Sequence, residues 1–149
     1  MAKGLVSGGK KKIRYAPKQG DVIAIKIRPK TFVLAKVAYV SEYHRGVLFF
    51  RVYNEVFPSA EAPAKLPSQY RGQFQSFVAY IQSGRWQVVG HDPVTKGDKE
   101  ASRYVTASGL FERDKRLRDV RDSDREKILP LIIHSYASAE KLLREGFGV

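Results

Sequence analysis

Apolar and polar positions alternate most regularly at residues 22–27, with Ile23, Ile25 and Ile27 on one side and Val22, Ala24 and Lys26 on the other. A period of two predicts a β-strand, its isoleucine face turned inward. Gly20-Asp21 before it reads as a turn, and Pro29 in Arg28-Pro29-Lys30 ends the run because it has no N–H for a ladder. Residues 31–40 predict a second strand, with Phe32, Leu34 and Lys36 opposite Val33, Ala35, Val37 and Tyr39. Its start is apolar on both sides, as expected where a barrel or a second layer covers the sheet. After the polar turn SEYHRG at residues 41–46, residues 47–56 predict a third strand, Leu48, Phe50, Val52 and Asn54 against Val47, Phe49, Arg51, Tyr53 and Glu55. Three strands joined by short turns make an antiparallel meander.

The stretch at residues 74–90, FQSFVAYIQSGRWQVVG, is dense in aromatic and β-branched residues in its first half. It predicts a hairpin: a strand to Ile81, a turn over Gln82-Ser83-Gly84-Arg85, and a strand from Trp86 to Val89, with Gly84 supplying a positive φ. Trp86 is the only tryptophan and is expected to seed the core. Residues 57–72 carry Pro58, Pro63 and Pro67 and predict a long surface loop; residues 91–100 predict a polar connection. A last hairpin is expected over residues 103–110 and 116–120. Ser123-Asp124-Arg125-Glu126 has capping-box spacing, and Ile128, Leu131, Ile132, Tyr136, Ala139, Leu142 and Leu143 follow at nearly helical intervals. Pro130 is incompatible with a helix interior, so a short turn is expected to end near Ile128, with the main helix starting on Pro130 in its first turn and stopping at Gly146. The expected fold is α+β, mostly β: a strongly curved antiparallel sheet or small barrel-like meander with a C-terminal helix packed on it. Residues 1–19 are expected to form a flexible basic arm, whose Ile13 and Tyr15 alternate with basic residues as in an edge strand, and residues 20–149 a single domain.

Charge changes this picture more than composition does. The net charge is +12 and the pI about 10.0, which implies a negative partner: nucleic acid, an acidic protein or anionic lipid. No apolar run approaches the roughly 20 residues of a membrane span. The N-terminus lacks the apolar stretch of a secretory signal, so the cytoplasm is the expected compartment and no membrane partner is expected. There is no cysteine, and His44, His91 and His134 stand in no metal-ligand spacing. No glycine-rich phosphate loop or nucleophile elbow is present, and the chain is read as a non-enzyme without a cofactor. For nucleic acid, the charge speaks in favour. The inward alternation of most Phe and Tyr speaks against an exposed stacking platform, and residues 113–127 mix both signs of charge as a solvated face does.

The order Gly20-Asp21, the strand to Ile27, Ala35-Lys36-Val37, the aromatic strand from Val47 to Tyr53, and Ser83-Gly84-Arg85-Trp86 with Val89-Gly90 resembles the immunity protein 26 family, small bacterial proteins encoded beside polymorphic toxins. The resemblance covers residues 13–93 well and the rest loosely; the basic N-terminus is not part of the pattern. It implies a cytoplasmic, mostly β, non-enzymatic protein that binds and neutralises a cognate toxin domain, and it carries over no catalytic residues. Charge complementarity then predicts an acidic contact surface on the toxin. Tyr43, His44, Arg45, Arg51, Tyr53, Arg85 and Trp86 are the expected partner-binding residues, because Arg and aromatic side chains carry most interface energy. A small basic β domain that binds nucleic acid is the alternative.

Overall fold

The computed structural model describes residues 16–149; the arm's Ile13 and Tyr15 lie outside the described residues. Strands β1 (Asp21–Arg28), β2 (Thr31–Val40) and β3 (Val47–Phe57) follow the predicted three-stranded meander, and β4 (Tyr70–Phe77) begins within the expected loop and ends before Ile81. A one-turn helix α1 (Ala79–Gln82), β5 (Gln87–His91) and a short α2 (Lys96–Glu100) come next. Strands β6 (Arg103–Val105), β7 (Leu110–Glu112) and β8 (Lys115–Arg118) precede α3 (Asp122–Lys127), β9 (Ile133–His134) and the C-terminal helix α4 (Tyr136–Phe147). The main sheet runs β9-β4-β3-β2-β1-β5, antiparallel except that β9 lies parallel to β4. Strands β6-β7-β8 form a separate three-stranded sheet. With 41% strand and 20% helix the fold is α+β, mostly β.

The sheet is neither closed nor strongly curled, which corrects the barrel-like expectation. Its two-sided apolarity comes from layering instead. Ile23, Ile25, Ile27, Val37, Phe50, Val52 and Phe74 face α4 and join Trp86, Ala139 and Leu143 in one core. On the opposite face Val22, Ala24, Leu34 and Tyr53 meet Ala60 and Leu66 from the loop after β3, while Val47 and Phe49 meet Tyr104 and Phe111 of the small sheet. Removing the Phe50 or Phe74 side chain from water contributes on the order of 2–3 kcal/mol each.

The tryptophan hairpin is not formed. The turn is locally as expected, with Gly84 at φ 85°. The residues before it coil into α1, however, and β5 pairs with β1 at the far side of the sheet from β4. Trp86 sits at 0% exposure and meets Phe50, Phe74 and Tyr80 edge-on, so its place in the core holds although its pairing does not. Gly20 is needed for the β1–β5 junction. Its φ is 96°, its amide donates to Val37, its carbonyl accepts from Asp92, and an added Cβ would lie 2.6 Å from the His91 ring.

Beyond residue 100 the expected hairpin is a three-stranded meander. In α3 it is Asp124, not Glu126, that folds back, accepting the Arg121 amide at 2.8 Å. The short helix does end before Ile128, as Pro130 requires. The main helix starts later than expected, at Tyr136 with Ser135 as its cap, because residues 129–134 run extended: Leu129 accepts from the Val105 amide and β9 pairs with β4. It also runs past Gly146 and stops at Gly148, whose φ of 70° closes the last turn.

Candidate partner-binding surface

The turn at residues 41–46 is exposed at Glu42, Tyr43, Arg45 and Gly46. Gly46 at φ 78° reverses the chain between β2 and β3. Such a turn would be soft alone, but Asp114 holds it from outside. Its carboxylate accepts the Tyr39 hydroxyl at 2.6 Å, the Ser41 hydroxyl at 2.7 Å, and the amides of Glu42 and Tyr43 at 2.8 and 3.0 Å. Ser41 in turn accepts the His44 amide. Asp114 reaches this position because the two-residue connection between β7 and β8 puts Arg113 at φ 59°, with the Arg113 guanidinium over the Tyr39 ring. Burial alone pushes the Asp114 carboxyl up, but the donors from Tyr39, Ser41, Tyr43 and Glu42 outweigh it and hold the group below its usual value. On this braced turn Tyr43 is 77% exposed and stands edge-on to His44, which meets Tyr104 beneath it. Arg45 is exposed beside them.

Arg51 and Tyr53 belong to a different assembly. On the face of the sheet covered by α2, Lys36 has 0% side-chain exposure and its ammonium lies 2.7 Å from Asp98 and 3.3 Å from Asp92. Arg51 reaches the other Asp98 oxygen at 3.1 Å and lies flat over Tyr70, which stacks on Tyr53; Tyr53 donates to Asp92. Two cations thus meet two carboxylates between the two apolar clusters of that face. Burial favours neutral Lys36, yet hydrogen bonding to Asp98 prevails and raises its pKa; Asp98, likewise opposed by burial, is held low by Lys36 and the Thr95 amide. The interaction is structural in its geometry: Asp98 also caps α2 through Thr95. Alternation along residues 31–40 showed which face Lys36 takes. It gave no sign of burial, because both its carboxylates come from more than 50 residues later.

Arg85 and Trp86 lie on the opposite face. Glu140 of α4 accepts both Arg85 Nε and Nη2 and the Trp86 indole N–H, and the Arg85 guanidinium covers the Tyr136 ring. The seven expected residues therefore fall into three groups on two faces. Tyr43, His44 and Arg45 are together on the braced turn; Arg51 and Arg85 are partly exposed; Tyr53 and Trp86 are buried and offer no surface in the folded chain. Sequence reasoning missed the braces, Asp114 and Glu140, and the groove described below.

Among the described residues no group of three or more His, Cys, Asp and Glu is placed to hold a metal ion, and no helix is long and apolar enough to cross a membrane. Fold and surface define a basic α+β domain on a mixed six-stranded sheet that presents a rigid aromatic turn. The family model for immunity protein 26 matches residues 18–116, well over half of the chain, and the chain belongs to that family. No curated protein and no solved structure matches it.

Proposed function

We propose that this chain is a cytoplasmic immunity protein that binds a cognate toxin domain and neutralises it by non-covalent contact, without catalysis. The observation that carries the reading is the family match over residues 18–116, a span that contains both the turn at residues 41–46 and its brace, Asp114. Tyr43, His44 and Arg45 are suited to the task. An exposed aromatic beside an arginine, held in one conformation, binds without the ordering cost of a loose loop. The contact surface on the toxin is acidic, because the chain carries +12 overall. A toxin whose substrate cleft is basic, as nucleases commonly have, is then engaged away from that cleft.

The test is growth of cells expressing the toxin domain encoded beside this chain, with and without the chain. Rescue by the native chain is expected, with loss of rescue for Tyr43→Ala combined with Arg45→Glu in a variant whose circular dichroism is unchanged. Toxicity with no rescue by the native chain sinks the immunity reading and leaves nucleic acid as the leading partner class.

A further inference from the structure

Strand β4 is at once an inner strand and an edge. On one side it pairs with β3 along its length, from Val47↔Phe77 to Tyr53↔Tyr70. On the other side β9 pairs with it only at Gln75 and Ser76, so among the described residues Tyr70–Phe74 have no strand beside them. The chain that would have extended β9 along this edge is diverted. Leu129 and Pro130 are drawn off to Val105, and the main chain rejoins β4 only at Ile133. What remains is a groove. An added Cβ on Gly72 would meet nothing within 4 Å, so the face of the strand at this point is uncovered as well. Beside it, a cavity of about 200 Å³ is walled by Phe74, Leu129, Leu142, Leu143 and Phe147. Leu129 is 64% exposed on its rim. The rest of the groove passes between Gly72-Gln73 and the ends of α2 and α3, where Lys127 and Glu100 line it. Arg71, placed by the β-bulge opposite Val52, holds its guanidinium over Phe147. Arg71 donates to Asn54 Oδ1 and to the Gly146 carbonyl, both uncharged, so its charge, like that of Lys127, is not matched by a carboxylate among the described residues.

Unpaired strand edges are templates for another chain, and proteins that do not use them keep them short, charged or covered. This one is open for five residues, has a glycine at its centre and an apolar socket at its side. We propose that it receives an extended acidic segment of the toxin domain as an added strand, with one apolar side chain of that segment seated between Leu129, Leu142 and Phe147. The proposal rests on the immunity reading and adds to it a second contact whose apolar wall, apart from Phe74, lies outside residues 18–116. Backbone pairing supplies the grip, and the socket supplies the choice of side chain. The occupant is acidic because Arg71 and Lys127 flank the edge. A second copy of this chain would bring the same cations face to face.

The test uses the full chain and its cognate toxin domain, with amide exchange and calorimetry. Amides of residues 71–74 are expected to become protected in the complex. Gly72→Trp, whose Cβ would meet no atom within 4 Å, is expected to weaken binding ~30-fold or more, and Leu129→Asp by a similar factor. Leu129→Asp changes an exposed side chain that lies in no strand, so it decides the matter if Gly72→Trp fails to fold. Unchanged affinity in Leu129→Asp and no protection at residues 71–74, with binding still lost on Tyr43→Ala, overturns the groove and leaves the immunity reading standing. Self-association of the free chain abolished by Gly72→Trp also overturns it, in favour of pairing between copies. No complex with the native chain overturns both.

Discussion

Lys36 shows how one residue can cost more to disturb than its neighbours. An ammonium at 0% exposure is tolerable only because Asp98 and Asp92 lie 2.7 and 3.3 Å away and Arg51 shares Asp98. Removing one member of such a set leaves the others desolvated without compensation. Lys36→Met is expected to destabilise the fold by about 3 kcal/mol. Lys36→Met with Asp98→Asn should recover part of that loss, because the fully buried carboxylate is then no longer charged without its ammonium, while Asp92 and Arg51 keep some access to water. Urea unfolding of the two single variants and the double checks this, and strictly additive losses would show that the pair is not coupled. The same carboxylates set the response to acid. Asp98 and Asp114 are both held below the ordinary value of 3.8 in the folded chain. A carboxyl depressed by folding contributes stability that is present above its unfolded value and is lost as pH falls through its folded one. Stability from these two groups should therefore be constant between about pH 5 and 7 and decline below about pH 4. Unfolding midpoints measured across that range should fall less steeply in Asp114→Asn than in the native chain.

At the level of elements, the small sheet β6-β7-β8 acts as a strut. It packs Tyr104 and Phe111 on Phe49, and through Asp114 it fixes the turn at residues 41–46. Asp114→Ala removes an acceptor for two backbone amides and two hydroxyls, and a loss of about 1–3 kcal/mol is expected. The sharper readout is local: amides of Glu42 and Tyr43 should exchange much faster, while those of β2 stay protected. Equal acceleration throughout β2 would mean that Asp114 supports the sheet, not the turn. The first three strands were legible because each carries its own alternation and its own turn, so local pattern and tertiary pairing agree. The tryptophan stretch was not. Gly84 marks a true reversal, but whether a strand returns to its predecessor or crosses to β1 depends on partners distant in sequence. Pro130 correctly marked the end of α3, whereas the start of α4 was decided by Ser135 and by the extended run that β4 and β6 hold in place. Of the residues expected at a partner surface, Tyr43 and Arg45 are exposed, as their place in a polar turn implies. The alternation of residues 47–56 did not show Tyr53 buried, because it could not show the loop with Ala60 and Leu66 closing over that face.

For the whole molecule, the question is how a net charge of +12 is used. Many carboxylates are engaged internally: Asp98 with Lys36 and Arg51, Glu140 with Arg85, Glu112 with Arg103, and Asp124 with Arg118. Asp114 is taken up by uncharged donors. The charge left facing solvent is therefore predominantly positive, including Arg45 on the turn and Lys127 beside the groove. Such a field acts mainly on encounter. It raises the association rate toward an acidic surface, whereas in the proposed complex the lifetime would be set by the close contacts of Tyr43 and of the groove. Raising salt from about 50 to 500 mM shortens the Debye length from roughly 14 to roughly 4 Å and removes most of the steering. Stopped-flow association with the toxin domain is expected to slow by about tenfold or more over that range, with dissociation changing far less. Nucleic acid would behave otherwise, because release of condensed counterions makes the equilibrium itself collapse with salt. A chain that binds duplex DNA in dilute salt, loses it at physiological salt, and holds the toxin domain at both would be a protein binder whose charge serves approach. If binding to the toxin domain vanished along the same steep slope as binding to DNA, the contact would be charge alone, and neither the braced turn nor the open edge of β4 would have a part in it.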